Sequence, residues 1–131
     1  AAQVPPDRAI KYRQSSLATM GFHFFGILAP MAKGDRPYDA KVAARSAKFV
    51  AELSEMPWHD GFPPGSESGA PTKAKPEIWK DRAKFDKLAE TMQGEAAKLA
   101  QVAGTDLATM RTQVQATAKA CTNCHDEFRA K

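Results

Sequence analysis

The chain has 131 residues, 43% hydrophobic and 26% charged, with 19 Lys and Arg against 15 Asp and Glu for a formal charge of +4. That balance excludes wholesale disorder and leaves room for one domain, residues 1–131. The cationic excess is spread along the chain and aromatics make up only 8%, so no nucleic-acid partner is expected.

The opening Ala1-Ala2-Gln3 has the small residues that signal cleavage favours, which is compatible with export and equally with trimming. Pro5-Pro6-Asp7 then opens a first helix expected from about Asp7 to Pro30 or Met31, before Gly34 to Pro37 breaks the pattern. Ile10, Arg13, Leu17, Met20, Phe24, Ile27 and Met31 recur there at steps of three and four. The longest apolar stretch, Gly21 to Met31, contains His23 and Pro30 and is too short for a bilayer, so no membrane span is expected. A second stripe, Ala18, Phe22, Phe25 and Ala29, cannot share one core with the first. Either this helix is covered more deeply than its neighbours, or the stripe joins two copies of the chain. With Val42 and Ala43 to Ala47 nearby, a twofold homodimer through the first two helices is the favoured reading.

Asp39 is expected to cap a second helix running to about Glu55, with Val42, Phe49, Leu53 and Met56 inward and Pro57 as its stop. Met56 to Lys75 holds no helical period and reads as one long loop, functional or mobile. Pro76 and Glu77 suit the first turn of a third helix, carried to about Ala103 and ended by Gly104. Its inward positions are Ile78, Phe85, Leu88, Met92, Leu99 and Val102. Thr105 is the expected cap of a fourth helix to about Arg129, whose seam is Leu107, Met110, Val114, Thr117, Cys121, Cys124 and Phe128. The fold class is all-α, an antiparallel up-down-up-down four-helix bundle. Helices of about 24 residues would be about 36 Å long, enough to enclose a flat cofactor.

Cys121-Thr122-Asn123-Cys124-His125 is C-x-x-C-H, the attachment signature of haem c. Positions i, i+3 and i+4 share one helix face, so two thiols can add to two vinyl groups while the imidazole points at the iron. A disulfide, a zinc site and a pair of inert buried thiols are the competing readings. The first lacks a βα context, and the second has only three nearby ligands. In an antiparallel bundle the start of the first helix, Tyr12 to Met20, would wall the other side of the iron. Leu17 lies on that stripe and cannot ligate. Arg13 lies one turn earlier, and would either pair with a haem propionate or extend its charge to solvent at the helix end.

The chain resembles cytochrome c′, the class II c-type cytochromes. The stretches that carry the likeness are Lys11 to Leu17, Pro37-Tyr38-Asp39-Ala40, Lys75 to Trp79 and Cys121 to Arg129, and it covers essentially the whole sequence. The resemblance implies a periplasmic protein, often a homodimer. It implies one five-coordinate, high-spin haem c, with thioethers at Cys121 and Cys124 and a proximal His125. Leu17 would block the sixth site so that only small gases such as NO and CO enter. Arg13 and Gln14 would meet the propionates, Thr72 and Lys73 the haem edge, and Arg129 the surroundings of the proximal imidazole.

The main alternative is a low-spin, six-coordinate electron carrier with Met20 or His23 as distal ligand, and under either reading electron transfer would call for a redox partner that the sequence does not identify. Met92 and Met110 sit on core seams and read as packing. His59 reads as solvated, and Trp58 and Trp79 as structural anchors. A peroxidase would need a polar distal acid and base that Leu17 and its neighbours do not offer, so no enzyme activity is expected.

Overall fold

A computed structural model describes residues 4–131 as four helical rods joined by three connections. Ala1 to Gln3, on which the reading of a processed start rests, lie outside the described residues.

The first rod is continuous but not uniform: α1 (Pro6–His23), a π-helical turn (Phe24–Leu28) and α2 (Ala29–Lys33). A π turn holds one residue more than the α-helix it interrupts, so it shifts the phase of every side chain beyond it. Ala9, Ile10, Arg13 and Ser16 are buried before the turn, and Phe24, Leu28, Met31 and Ala32 within and after it. This is why Leu28, off the expected stripe, is fully buried while Ile27 is only half-buried. The rod spans 28 residues, which by length and composition would suffice to cross a bilayer, longer than the Gly21–Met31 stretch suggested. Gly34 ends it at φ 85°, a left-handed cap that glycine adopts without strain.

The second rod is α3 (Ala40–Leu53), with Asp39 capping as expected: its Oδ1 accepts from the Lys41 and Val42 amides at 3.0 and 3.1 Å. Its inward face corrects the expected one. Ala43, Ser46, Ala47 and Val50 are buried, whereas Phe49 and Met56 are exposed. Small side chains let this rod approach its neighbours closely, and the larger ones are turned outward.

The third helix is not one piece. A single turn, α5 (Glu77–Lys80), is followed by Asp81 at φ −130°, ψ 62°, and only then by α6 (Arg82–Val102). Asp81 caps α6 through the Lys84 amide, and that non-helical cap is what breaks the run. Similarly Asp106, not Thr105, caps α7 (Leu107–Phe128), its Oδ1 accepting from the Thr109 amide at 2.7 Å. The expected seam of α7 holds: Met110, Val114, Thr117 and Phe128 are buried, and Cys121 and Cys124 pack against the core.

Consecutive rods pack side by side, α1 on α3, α3 on α6 and α6 on α7, and α7 closes back on α2. Arg111 near the start of α7 donates to the Ala32 carbonyl, and Tyr38 donates to the Ala103 carbonyl. The end of the first rod, the start of the second, the end of the third and the start of the fourth therefore meet at one end, as an up-down-up-down bundle requires. Residues 56–75 cross the opposite half, and they are neither featureless nor loose. Pro57–Asp60 forms one helical turn, α4, and Pro57, Trp58, Phe62 and Ser66 are buried.

Candidate haem site

The last turns of α7 place Cys121, Cys124 and His125 on one face, as the i, i+3, i+4 spacing demands. That face opens on a cavity of about 470 Å³ whose walls are mostly apolar. Arg13, Gln14 and Leu17 reach the same cavity from α1, Thr72 and Lys73 from the loop, and Arg129 from just beyond α7. All nine residues singled out in the sequence therefore line one space.

Both cysteines are free thiols, so they do not form a disulfide with each other. Burial pushes the Cys121 thiol up, and burial together with Cys121 pushes Cys124 up to about 11. Thiols held in the neutral form are poor zinc ligands, which bind as thiolates. Among the described residues, no group of three His, Cys, Asp or Glu side chains could hold a metal ion. Burial holds His125 below the ordinary histidine range, reinforced by Arg129 and opposed by Asp126. Its imidazole is thereby favoured in the neutral form that can donate a lone pair.

Arg13 is the most heavily committed side chain here. Only 2% exposed, it donates from Nη1 to the Gly61 carbonyl (3.0 Å) and Ser66 Oγ (2.9 Å), and from Nη2 to the Ser66 carbonyl (2.9 Å) and Thr72 Oγ1 (3.1 Å). Its guanidinium also lies 4.7 Å from the centre of the Phe62 ring. The alternative in which Arg13 reaches solvent is thus excluded. It has no carboxylate ion pair among the described residues, and burial lowers its pKa, opposed by the charge of Glu67. A buried cation bordering the cavity fits an anionic group such as a propionate. Gln14 lies beside it, donating to the Pro71 carbonyl at 3.0 Å.

The loop closes on the C-terminal segment by a β-bridge between Ala74 and Arg129. The Lys75 amide donates to the Phe128 carbonyl at 2.9 Å, and the Ala130 amide to the Lys73 carbonyl at 2.7 Å. Arg82 secures the loop from the third rod, donating to the Phe62 and Trp58 carbonyls, both at 2.7 Å.

Of the two alternative distal ligands, Met20 lines the cavity and His23 does not. The His23 ring sits between Phe22 and Phe49, with centroids 5.3 and 5.0 Å away, and its Nδ1 is buried without a hydrogen-bond partner. The second stripe of the first helix is divided. Ala18 and Phe25 line the cavity, while Phe22 lies with His23 on the outer face. Trp58 both anchors the loop, donating to the Ser54 carbonyl, and lines the cavity, where the sequence suggested an anchor alone. Sequence reasoning also passed over Phe62, Phe85 and Phe128, whose edge-to-face cluster floors the site. The spacing of Phe85 and Phe128 signalled core, a pattern that a cofactor cavity inside a bundle shares, while Phe62 lay in the loop that showed no period.

A family model described as Cytochrome C′ matches residues 8–129. The chain is 41% identical over 127 residues to a cytochrome c′ of Rubrivivax gelatinosus, covering 96% of this chain and 97% of that protein. A crystal structure of cytochrome c′ from the same organism is similar at a TM-score of 0.91 and 40% identity, over 98% of this chain and 99% of that one. A nitric oxide complex of a leucine variant of cytochrome c prime from Alcaligenes xylosoxidans is similar at 0.88 and 37%, over 99% and 100%.

Proposed function

The chain belongs to the cytochrome c′ family, and from that premise we propose a periplasmic, single-domain haem protein that binds small neutral gases at an open iron site. The cofactor is haem c, and Cys121 and Cys124 are the two thiols available for its thioether bonds. Bound there, it supplies an iron whose sixth position can take a diatomic ligand. The rest is done by the chain. His125 would supply an imidazole nitrogen to the iron, and the Arg129 amide, which donates to the His125 carbonyl at 3.0 Å, holds the turn that carries it. Arg13, with its Nε–H left over from the loop contacts, and Gln14 meet the propionates. Thr72 and Lys73 border the haem edge.

The observation that carries the reading is Leu17. It faces the same cavity as His125 from the opposite end of the sequence, and His125 is the only imidazole lining that cavity. A hydrocarbon wall admits NO or CO and disfavours anions, which would lose their hydration there. The nitric oxide complex of the related Alcaligenes protein supports the same ligand class for this chain. The six-coordinate alternative narrows to Met20, which also lines the cavity. Absorption spectra of the reduced protein with and without CO test the proposal, with resonance Raman reporting spin state. A clear shift on adding CO and high-spin marker bands are expected. Low-spin bands and no CO response would assign the sixth position to Met20.

The same reading includes a homodimer through the first two rods. Phe22 is 65% and Phe49 38% exposed, and both pack against the His23 ring on the outer face of the first two rods, which supports this part of the reading. Sedimentation across a dilution series should show twice the 14.2 kDa chain mass, and a constant monomer would remove this part. No enzymatic turnover is expected, since the members of the family matched here are named as cytochromes.

A further inference from the structure

Beside the cavity, two short segments lie antiparallel across the Ala74–Arg129 bridge: Lys73-Ala74-Lys75 and Arg129-Ala130-Lys131. The amide bonds from Lys75 to Phe128 and from Ala130 to Lys73 fix their backbones against each other. These six residues carry four cationic side chains and no acidic one. None of the four is in an ion pair among the described residues, where the three pairs are Arg82–Asp86, Lys84–Glu127 and Lys98–Glu95. Of the two acids that precede the second segment, Glu127 is held by Lys84 at 3.1 Å and only Asp126 is left. Across the bridge the register sets Lys73 opposite Ala130, Ala74 opposite Arg129 and Lys75 opposite Phe128, so none of these cations has an acidic side chain opposite it. Lys73 and Arg129 also line the haem cavity, so the basic ladder forms part of its rim.

From this juxtaposition we infer that the paired Lys73–Lys75 and Arg129–Lys131 segments are a docking surface for the carboxylate-rich face of a redox protein. The inference rests on the haem-site reading and adds the partner's chemistry to it. Complementary charge brings the acidic face to the rim and sets its orientation. Exchange there is a single electron: the ferrous iron becomes ferric, the partner's acceptor is reduced by one electron, and no bond or proton moves.

The test compares two charge-matched double variants of the holoprotein, Lys75→Glu with Lys131→Glu at the rim, and Lys33→Glu with Lys41→Glu at the far end of the bundle. Both change net charge equally. Ferricyanide serves as the anionic oxidant, and poly-L-glutamate, followed by calorimetry, as a carboxylate surface that needs no haem chemistry. At low salt the rim variant should lower the ferricyanide rate and the polyglutamate affinity each by about tenfold, and the far-end variant by less than about twofold. The difference should vanish at about 0.5 M salt, where screening acts within a few ångströms. Equal effects of the two variants in both assays would overturn the docking surface. A protein lacking a haem spectrum would instead overturn the haem reading, and the calorimetry would still decide the docking surface.

Discussion

The Gly61 carbonyl accepts a hydrogen bond from Arg13 at 3.0 Å, and a Cβ at position 61 would lie 2.8 Å from the Cβ of Arg13 and collide with the Pro57 carbonyl oxygen. The loop and the first rod are therefore in contact at a point where only a hydrogen atom fits. Gly61→Ala should destabilise the protein by about 1–3 kcal/mol through overpacking. Arg13→Lys keeps the charge but loses the planar fork that serves four acceptors, at about 2 kcal/mol or more. Thermal unfolding and limited proteolysis of residues 62–75 read both variants. Unchanged midpoints and unchanged cleavage would show that the loop is held elsewhere.

Gly94 is the opposite case. It is exposed within α6, and a Cβ there would meet nothing within 4 Å. Gly94→Ala should raise stability by about 0.5–1 kcal/mol, since glycine loses more backbone freedom on entering a helix. Denaturant titration would reveal it as a higher midpoint at constant slope. A lower midpoint would mean that the glycine serves a contact made only by a partner.

Asp106 gives the pH dependence a sign. Hydrogen bonds from the Thr109 amide and hydroxyl hold its carboxyl below the usual aspartate range, slightly opposed by desolvation. Its pKa is thus lower folded than unfolded, so its stabilisation is complete above the unfolded value of about 3.9 and fades as the pH falls through the folded one. Asn accepts the same amide bond without titrating. The difference in unfolding midpoint between the natural protein and Asp106→Asn should be constant above about pH 5 and shrink or reverse below about pH 4. A difference independent of pH would remove the carboxylate from the cap.

Phe25 is both exposed and part of the cavity wall, which places it at an opening. Its ring lies over Gly21, close enough that a Cβ there would stand 3.9 Å from the Phe25 Cδ2. Phe25→Ala should speed CO association and dissociation alike, by about threefold or more, with little change in affinity, because a gate alters the barrier and not the bound state. Flash photolysis separates the two rates. A change confined to dissociation would instead make Phe25 a contact of the bound gas.

The four rods and the seam of α7 were legible because each is a local pattern: apolar steps of three and four, proline and glycine breaks, and a covalent signature with one possible spacing. Arg13 and Leu17 could be set beside Cys121 to His125 because the antiparallel order brings the start of the first rod to the end of the last, whereas Gln14, Thr72, Lys73 and Arg129, which line the same cavity, were named only through the family resemblance. What escaped depended on tertiary fit. Hydrophobicity ranks Phe49 above Ala47, but the distance between rods selected Ala43, Ser46 and Ala47 for the interior. Thr105 and Asp106 are adjacent cap residues, and only backbone geometry chose between them. The π turn leaves no compositional mark on Phe24–Leu28, and only the burial of Leu28 in place of Ile27 reveals it. The loop's order was hidden because it is held by Arg13 and Arg82 from distant rods.

Leu17 and His125 both line one chamber, although more than a hundred residues of sequence separate them. A ribosome therefore finishes one wall long before it reaches the other. Until Cys121 to His125 have emerged, there is an apolar trough with no tether and no imidazole. A polypeptide interrupted upstream of that segment would carry neither of the two thiols with which to hold the pigment.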